Sequence, residues 1–270
     1  MSPSEYFWLS LLIKAAITST IIVTASIIVE RGGAFLGAMI ASLPTSVGAA
    51  YIVMAVEHSP DFISKSALGS LTANAAGVTF AAVYALLARK NSLIGSLGGA
   101  MVVWFAGALT LSRFDFRRWW AVAFNLGVAA VAIWATRQAR AASFPKAAVV
   151  RRRYDIPLRA AAVSAFVIIV TTLSHSIGAT ASGIFAVFPI AMSSFIVILH
   201  NRIGGPATAN VIAHAQIPML GLIPAFLAVH LLAVPLGEAW ALLIALMTSL
   251  LWNALLWTWR TQLSARLPMD

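Results

Sequence analysis

The chain has 270 residues, 61% hydrophobic and only 10% charged, with a mean hydropathy of +0.92 and a net charge of +10. A soluble domain carries about 25% charged residues, so this composition excludes an ordinary water-soluble domain. The absence of cysteine excludes disulfides, thiolate metal sites and cysteine nucleophiles. In an apolar chain the basic residues of the loops record topology, so the positive charge does not imply nucleic acid as a partner.

Apolar runs of roughly 20 residues recur from end to end, without the alternation of a transmembrane barrel. The expected fold is all-α: a polytopic helical membrane protein of about nine transmembrane helices. The spans are Tyr6–Val29, Gly33–Val56, Lys65–Ala88, Leu93–Leu111, Trp119–Thr136, Ile156–Ser174, Gly178–Leu199, Ala207–Val234 and Glu238–Trp259. The first lacks the basic flank of a signal peptide and reads as an uncleaved anchor. It carries Lys14, the one formal charge well inside a span. Buried amines mark functional sites by default, and a lysine stem near a helix end can also snorkel outward.

The second span contains Pro44-Thr45-Ser46. A proline in mid-span removes a backbone hydrogen bond that lipid cannot replace. The freed carbonyl is satisfied by a neighbouring hydroxyl in a simple kink, or is offered to a solute where the helix breaks. The third span carries Gly69, Ala73, Gly77, Ala81 and Ala85, a four-residue rhythm that lets another helix approach closely. Asn74 beside that stripe is a candidate solute contact, and Asn125 and Asn253 are weaker ones. Tryptophans near span ends, such as Trp119, Trp120, Trp240, Trp257 and Trp259, read as interfacial belts.

The long loop Arg137–Arg159 holds Arg137, Arg140, Lys146, Arg151, Arg152, Arg153 and Arg159. It divides the chain into a first half at 1–140, a basic loop at 141–158 and a second half at 159–270. Placing it in the cytoplasm puts Arg31, Arg89, Lys90, Arg202, Arg260 and Arg266 there too. The N-terminus is then periplasmic and the C-terminus cytoplasmic. Arg113, Arg117 and Arg118 run against this count, and a re-entrant Leu93–Leu111 would change it.

Beyond the loop, Gly178–Pro206 repeats the design of Gly33–Pro60. An offset of 145 maps Gly33 to Gly178, Ala41 to Ala186 and Pro44 to Pro189. Ser193 and Ser194 follow Pro189 as Thr45 and Ser46 follow Pro44. The two copies lie five spans apart and so face opposite ways, the inverted-repeat design of secondary transporters. The eighth span is the most polar, with Asn210, His214, Gln216, Pro218, Pro224 and His230. Its 28 residues would reach about 42 Å as a straight helix, so it must tilt or break. His214 suits proton exchange near neutral pH; interhelical hydrogen bonding is the alternative. His58, His175, His200 and His230 lie near span ends and read as interfacial.

Every acid (Glu5, Glu30, Glu57, Asp61, Asp115, Asp155, Glu238, Asp270) falls at a span end or in a loop. Ion coupling would therefore have to use Lys14, His214 or backbone oxygens, the alternative being an uncoupled facilitator. There is no His-Glu-x-x-His, Gly-x-Ser-x-Gly, phosphate-binding loop or metal-spaced carboxylate pair, so no enzyme, cofactor or metal is expected.

The run Gly183-Ile184-Phe185-Ala186-Val187-Phe188-Pro189, continuing to Ser193-Ser194-Phe195-Ile196, resembles the GlpM group of small bacterial inner-membrane proteins. The likeness covers roughly Gly178–Val234; this chain is about double their length and has Leu43 before its first proline. It implies a bacterial inner-membrane location and a role near envelope or polysaccharide metabolism, with no catalytic residues to carry over. The expected function is alternating-access transport of a small-molecule solute across the lipid bilayer. The expected solute site is Pro44, Thr45, Ser46, Asn74, Pro189, Ser193, Ser194, His214 and Gln216, with Lys14 or His214 for coupling. The alternatives are a membrane scaffold for envelope biosynthesis and a lipid-linked-substrate enzyme or flippase using Arg151–Arg153.

Overall fold

A computed structural model describes residues 12–20, 23–24, 45–114, 117–142, 144 and 155–266, and every regular element among them is a helix. Residues 12–20 are helical. They are followed by α1 (Thr45–Glu57), α2 (Pro60–Leu87), α3 (Leu93–Leu111), α4 (Arg118–Ala135), α5 (Arg137–Ala141), α6 (Asp155–Ala186), α7 (Ile190–Met219), α8 (Leu222–Leu236) and α9 (Glu238–Arg266). Among the described residues, five helical stretches are long and apolar enough to cross a membrane: Pro60–Leu87, Leu93–Leu111, Arg118–Ala135, Ile156–Leu236 and Glu238–Trp259.

The central element is α2. It begins five residues before the expected Lys65, because Ser59 caps the Phe62 amide and Pro60 occupies the first turn with Asp61 near the positive dipole end. These start signals precede the apolar run that fixed the expected boundary. The helix is buried on nearly every side and packs against α3, α4, α6, α7 and α8. Its small residues make this possible. A methyl added to Gly69 would meet the Thr180 carbonyl, and one added to Gly183 would collide with that of Ser66. In the space so gained, Ser66 Oγ donates to the Ala179 carbonyl at 2.9 Å and Ser70 Oγ to that of Gly183 at 2.6 Å. Gly77, on the same stripe, faces the Met219 side chain instead. The stripe therefore serves two neighbours.

Residues 155–236 pass along this axis three times, turning at glycines. Gly178 (φ +80, ψ 170) ends the first pass and Gly204 (φ +80, ψ 165) the second. Gly237 (φ +82) ends the third. Backbone of this kind is open essentially to glycine alone. The hydroxyls of Ser182 and Thr208 then donate to the Gly178 and Gly204 carbonyls at 2.7 and 2.8 Å and fix the next helix. Gly178→Ala and Gly204→Ala are expected to cost about 1–3 kcal/mol each from backbone strain. No atom stands within 4 Å of the added methyl at either position. Thermal unfolding of the purified variants measures this, and wild-type melting would contradict the turn geometry.

The second pass, 179–204, runs parallel to α2: Ser70 meets Gly183 near its start, and the Tyr84 hydroxyl meets His200 Nδ1 at 2.8 Å near its end. The third, 205–236, runs antiparallel. Gly205 abuts Ala88, Met219 reaches Gly77, and Ser64 Oγ donates to the His230 carbonyl at 2.7 Å. Between Leu93 and Leu111, α3 is one continuous helix, with Gly99 against Leu87 and Gly107 against Ala76.

Candidate functional site

Both of those passes are interrupted. In the second, the helix stops at Ala186, and Val187-Phe188-Pro189 form a turn before α7 restarts at Ile190. Pro189 is not a kink inside a helix but the residue that precedes one (φ −79, ψ 44). Its carbonyl accepts from the Ser193 amide at 2.8 Å and from Ser193 Oγ at 2.6 Å. In the third, α7 ends at Met219 in a tightened turn, with Leu220 N to Ile217 O and Gly221 N to Pro218 O both at 3.1 Å, and α8 restarts at Leu222. Pro218 cannot donate and Pro224 lies in the first turn of α8, which together end one helix and allow the next. Met219 touches Gly77, and residues 187–189 fall between the levels of Ser70 and Tyr84. Both interruptions thus face the middle of α2, which spans about 42 Å.

Aromatic and amide groups surround this level. Phe188 packs edge-on against Trp104 (centroids 4.9 Å apart), stacks on Phe166 (4.9 Å) and meets Phe105 (5.6 Å). Trp104 is fully buried, and its Nε1 has no hydrogen-bond partner among the described residues. One turn beyond Ser70 on α2, Asn74 Nδ2 donates to Asn125 Oδ1 at 3.0 Å. Asn125 Nδ2 in turn donates to the carbonyls of Leu71 (2.6 Å) and Ala121 (2.9 Å). Gln216 is fully buried, and its Oε1 accepts from Thr136 Oγ1 at 2.8 Å and from Arg140 at 3.4 Å. Its Nε2 has no partner among the described residues. Arg140 also donates to Thr136 and to the Ile133 carbonyl. Burial pulls the Arg140 guanidinium below its ordinary value, and it stays a cation at any physiological pH.

Among the described residues, the expected site residues lie on α1, on α2, at the start and along the length of α7, and in the N-terminal segment. Pro44 lies outside the described residues, as do the rest of Gly33–Leu43 and Arg151–Arg153, and Thr45 is the first residue of α1. Ser46 is buried on α1 and Asn74 on α2. Pro189, Ser193 and Ser194 line the first interruption, but both serine hydroxyls already donate to local carbonyls, Ser194 to that of Ala191 at 2.8 Å. Gln216 lies one turn from the second interruption. His214 Nδ1 pairs with the Asn210 carbonyl at 2.9 Å, and Asn210 Nδ2 donates to the carbonyls of Ala139, Arg140 and Ala142. Lys14 sits apart, buried and ion-paired with Glu57 at 2.9 Å. An amine paired in this way is not snorkelling to water.

Sequence reasoning missed Trp104, Thr136, Arg140 and the aromatic setting of Phe188. The signal for Trp104 was its position: it sits in mid-span, as Trp252 does, where the other tryptophans lie nearer span ends. Thr136 and Arg140 stand at a span end and in a basic loop, and only folding brings them to Gln216.

The fold defines a class, an all-helical chain with several long apolar helices. No protein-family model, no curated protein and no solved structure matches it.

Proposed function

We propose that this chain is a small transporter that moves a small solute across the bacterial inner membrane by alternating access between two oppositely oriented halves. The observation that carries the reading is the pair of interrupted passes meeting α2 at mid-height. Discontinuous helices at the bilayer midplane supply unpaired backbone groups and dipole ends to a solute, and irregular backbone at that depth persists only where it lines a cavity or is buried in protein.

The inverted relation has further support. Helices open at Pro60 and Leu93, and 145 residues on at Gly205 and Glu238. The α2 helix and its offset partner, 205–232, run antiparallel, as inversion requires. Ser19 Oγ and Ser164 Oγ, themselves 145 apart, lie at 2.9 Å. Two equivalent residues that touch must flank the axis relating them. The offset pairs the first four expected spans with the last four and leaves Trp119–Thr136 as the connector. The orientation follows the basic residues: the end bearing Arg89, Arg137, Arg140 and Arg202 faces the cytoplasm.

Cysteine labelling tests the proposal directly in this cysteine-free chain. Ser193→Cys and Ser46→Cys are expected to react with a membrane-impermeant maleimide in vesicles. Val102→Cys, exposed on the outside of the bundle, is expected to stay inert because it faces acyl chains. Failure of both deep positions to react from either side would remove the aqueous pathway, and with it the transporter.

A further inference from the structure

Far from the interruptions, at the corner between α1 and α2, three side chains of metal-ligand type converge. Glu57 closes α1, His58 links it to α2, and His175 stands in α6 three residues before the Gly178 turn. One donor atom from each lies within 4.8 Å of the other two. We propose that Glu57, His58 and His175 form a binding site for a divalent transition-metal cation of the zinc class. The site does not depend on the transport reading.

The hydrogen bonds set the donors. Ser174 Oγ donates its single proton to the Thr171 carbonyl at 2.6 Å, so in its 2.7 Å contact with His58 Nε2 it is the acceptor. His58 therefore carries its proton on Nε2, and Nδ1 keeps its lone pair. A partner holding one ring nitrogen and freeing the other is the usual support of a metal-ligating histidine. Phe62 stacks on the same imidazole with centroids 3.8 Å apart and fixes its plane. Glu57 Oε1 is taken by Lys14 at 2.9 Å. Oε2 is buried and has no hydrogen-bond partner among the described residues, with His175 Nε2 3.5 Å away. Two imidazoles and a carboxylate are the ligand set of open zinc sites, with water completing the shell. Donors about 2.0–2.2 Å from one tetrahedral zinc lie about 3.3–3.6 Å from each other, the spacing that His175 Nε2 and Glu57 Oε2 already have at 3.5 Å. The bound ion would tie α1 and α2 to α6, clasping the first half of the chain to the second. Lys14 opposes it by charge while holding the carboxylate in place.

The test uses the purified full-length protein in detergent, with Zn²⁺ for stoichiometry by elemental analysis and Co²⁺ as a spectroscopic probe. Wild type is expected to take up one equivalent and to give the visible absorption of a low-coordinate nitrogen–oxygen site. His175→Ala, at an exposed position that leaves packing intact, is expected to lower affinity by more than the roughly 10–100-fold that loss of an outer hydrogen-bond partner costs. Lys14→Met is expected to raise it. Uptake below a tenth of an equivalent by folded wild type, or undiminished binding by His175→Ala, would overturn the proposal. The second result would assign the metal to His200, His214 or His230 as adventitious binding.

Discussion

Gly183→Ala is expected to be among the most destabilising single-methyl changes in this protein, lowering stability by about 1–3 kcal/mol, with Gly183→Val costing more. The added carbon would overlap the Ser66 carbonyl oxygen, a backbone atom of the central helix that cannot rotate away. Relief requires residues 179–186 to move off α2. That would lengthen the Ser70–Gly183 hydrogen bond and displace Phe188 and Pro189, which follow directly. The damage therefore reaches the interruption as well as the packing. Gly127→Ala is the control: it lies inside α4, no atom stands within 4 Å of its added methyl, and alanine is the better helix former by roughly 0.5–1 kcal/mol. Thermal unfolding of both variants in one detergent should move the midpoint in opposite directions. Equal midpoints would mean that α2 and α6 do not meet backbone to backbone.

The second large effect concerns the asparagine pair. Asn125→Leu is expected to cost about 1–3 kcal/mol, because it strands the Asn74 amide in a site from which water is excluded. A single interhelical hydrogen bond in a membrane averages about 0.6 kcal/mol. The larger figure applies because Asn125 loses its bonds to Asn74, Leu71 and Ala121 together. The double variant Asn74→Leu/Asn125→Leu removes both amides and should recover part of the loss, with a coupling energy of about 0.5–3 kcal/mol. The same variant separates two roles. If Asn74 contacts the solute, the double variant regains stability but loses any ligand-dependent thermal shift seen in wild type. If the amides only pack, the shift survives.

The small-residue rhythm of the third span was legible as a close-packing surface, since a helix repeats every 3.6 residues and places positions four apart on one face. Its division between two neighbours was not legible, because Gly69 and Gly77 face different segments of the second half. Lys14 was visible as an anomaly, but its partner Glu57 was assigned to a span end. Only the meeting of the N-terminal segment with α1 makes them an ion pair. The prolines announced interruptions without fixing their form. Pro189 stands between helices rather than within one, because Val187 and Phe188 leave the helix before it.

The turns at Gly204 and Gly237 emerged only in the structure, while by itself the sequence determined the all-helical class, the long apolar stretches and Gly178 as the start of one segment. These depend on local chemistry: apolar periodicity, absent amides at proline and φ freedom at glycine. Tertiary structure decided which side chains share a level. It set Phe188 against Trp104, Asn74 against Asn125, Gln216 against Thr136 and Arg140, and Glu57 against His175. Such pairings join residues tens of positions apart, and no local rule of chain geometry encodes them. They arise only when small residues let the passing helices close on α2.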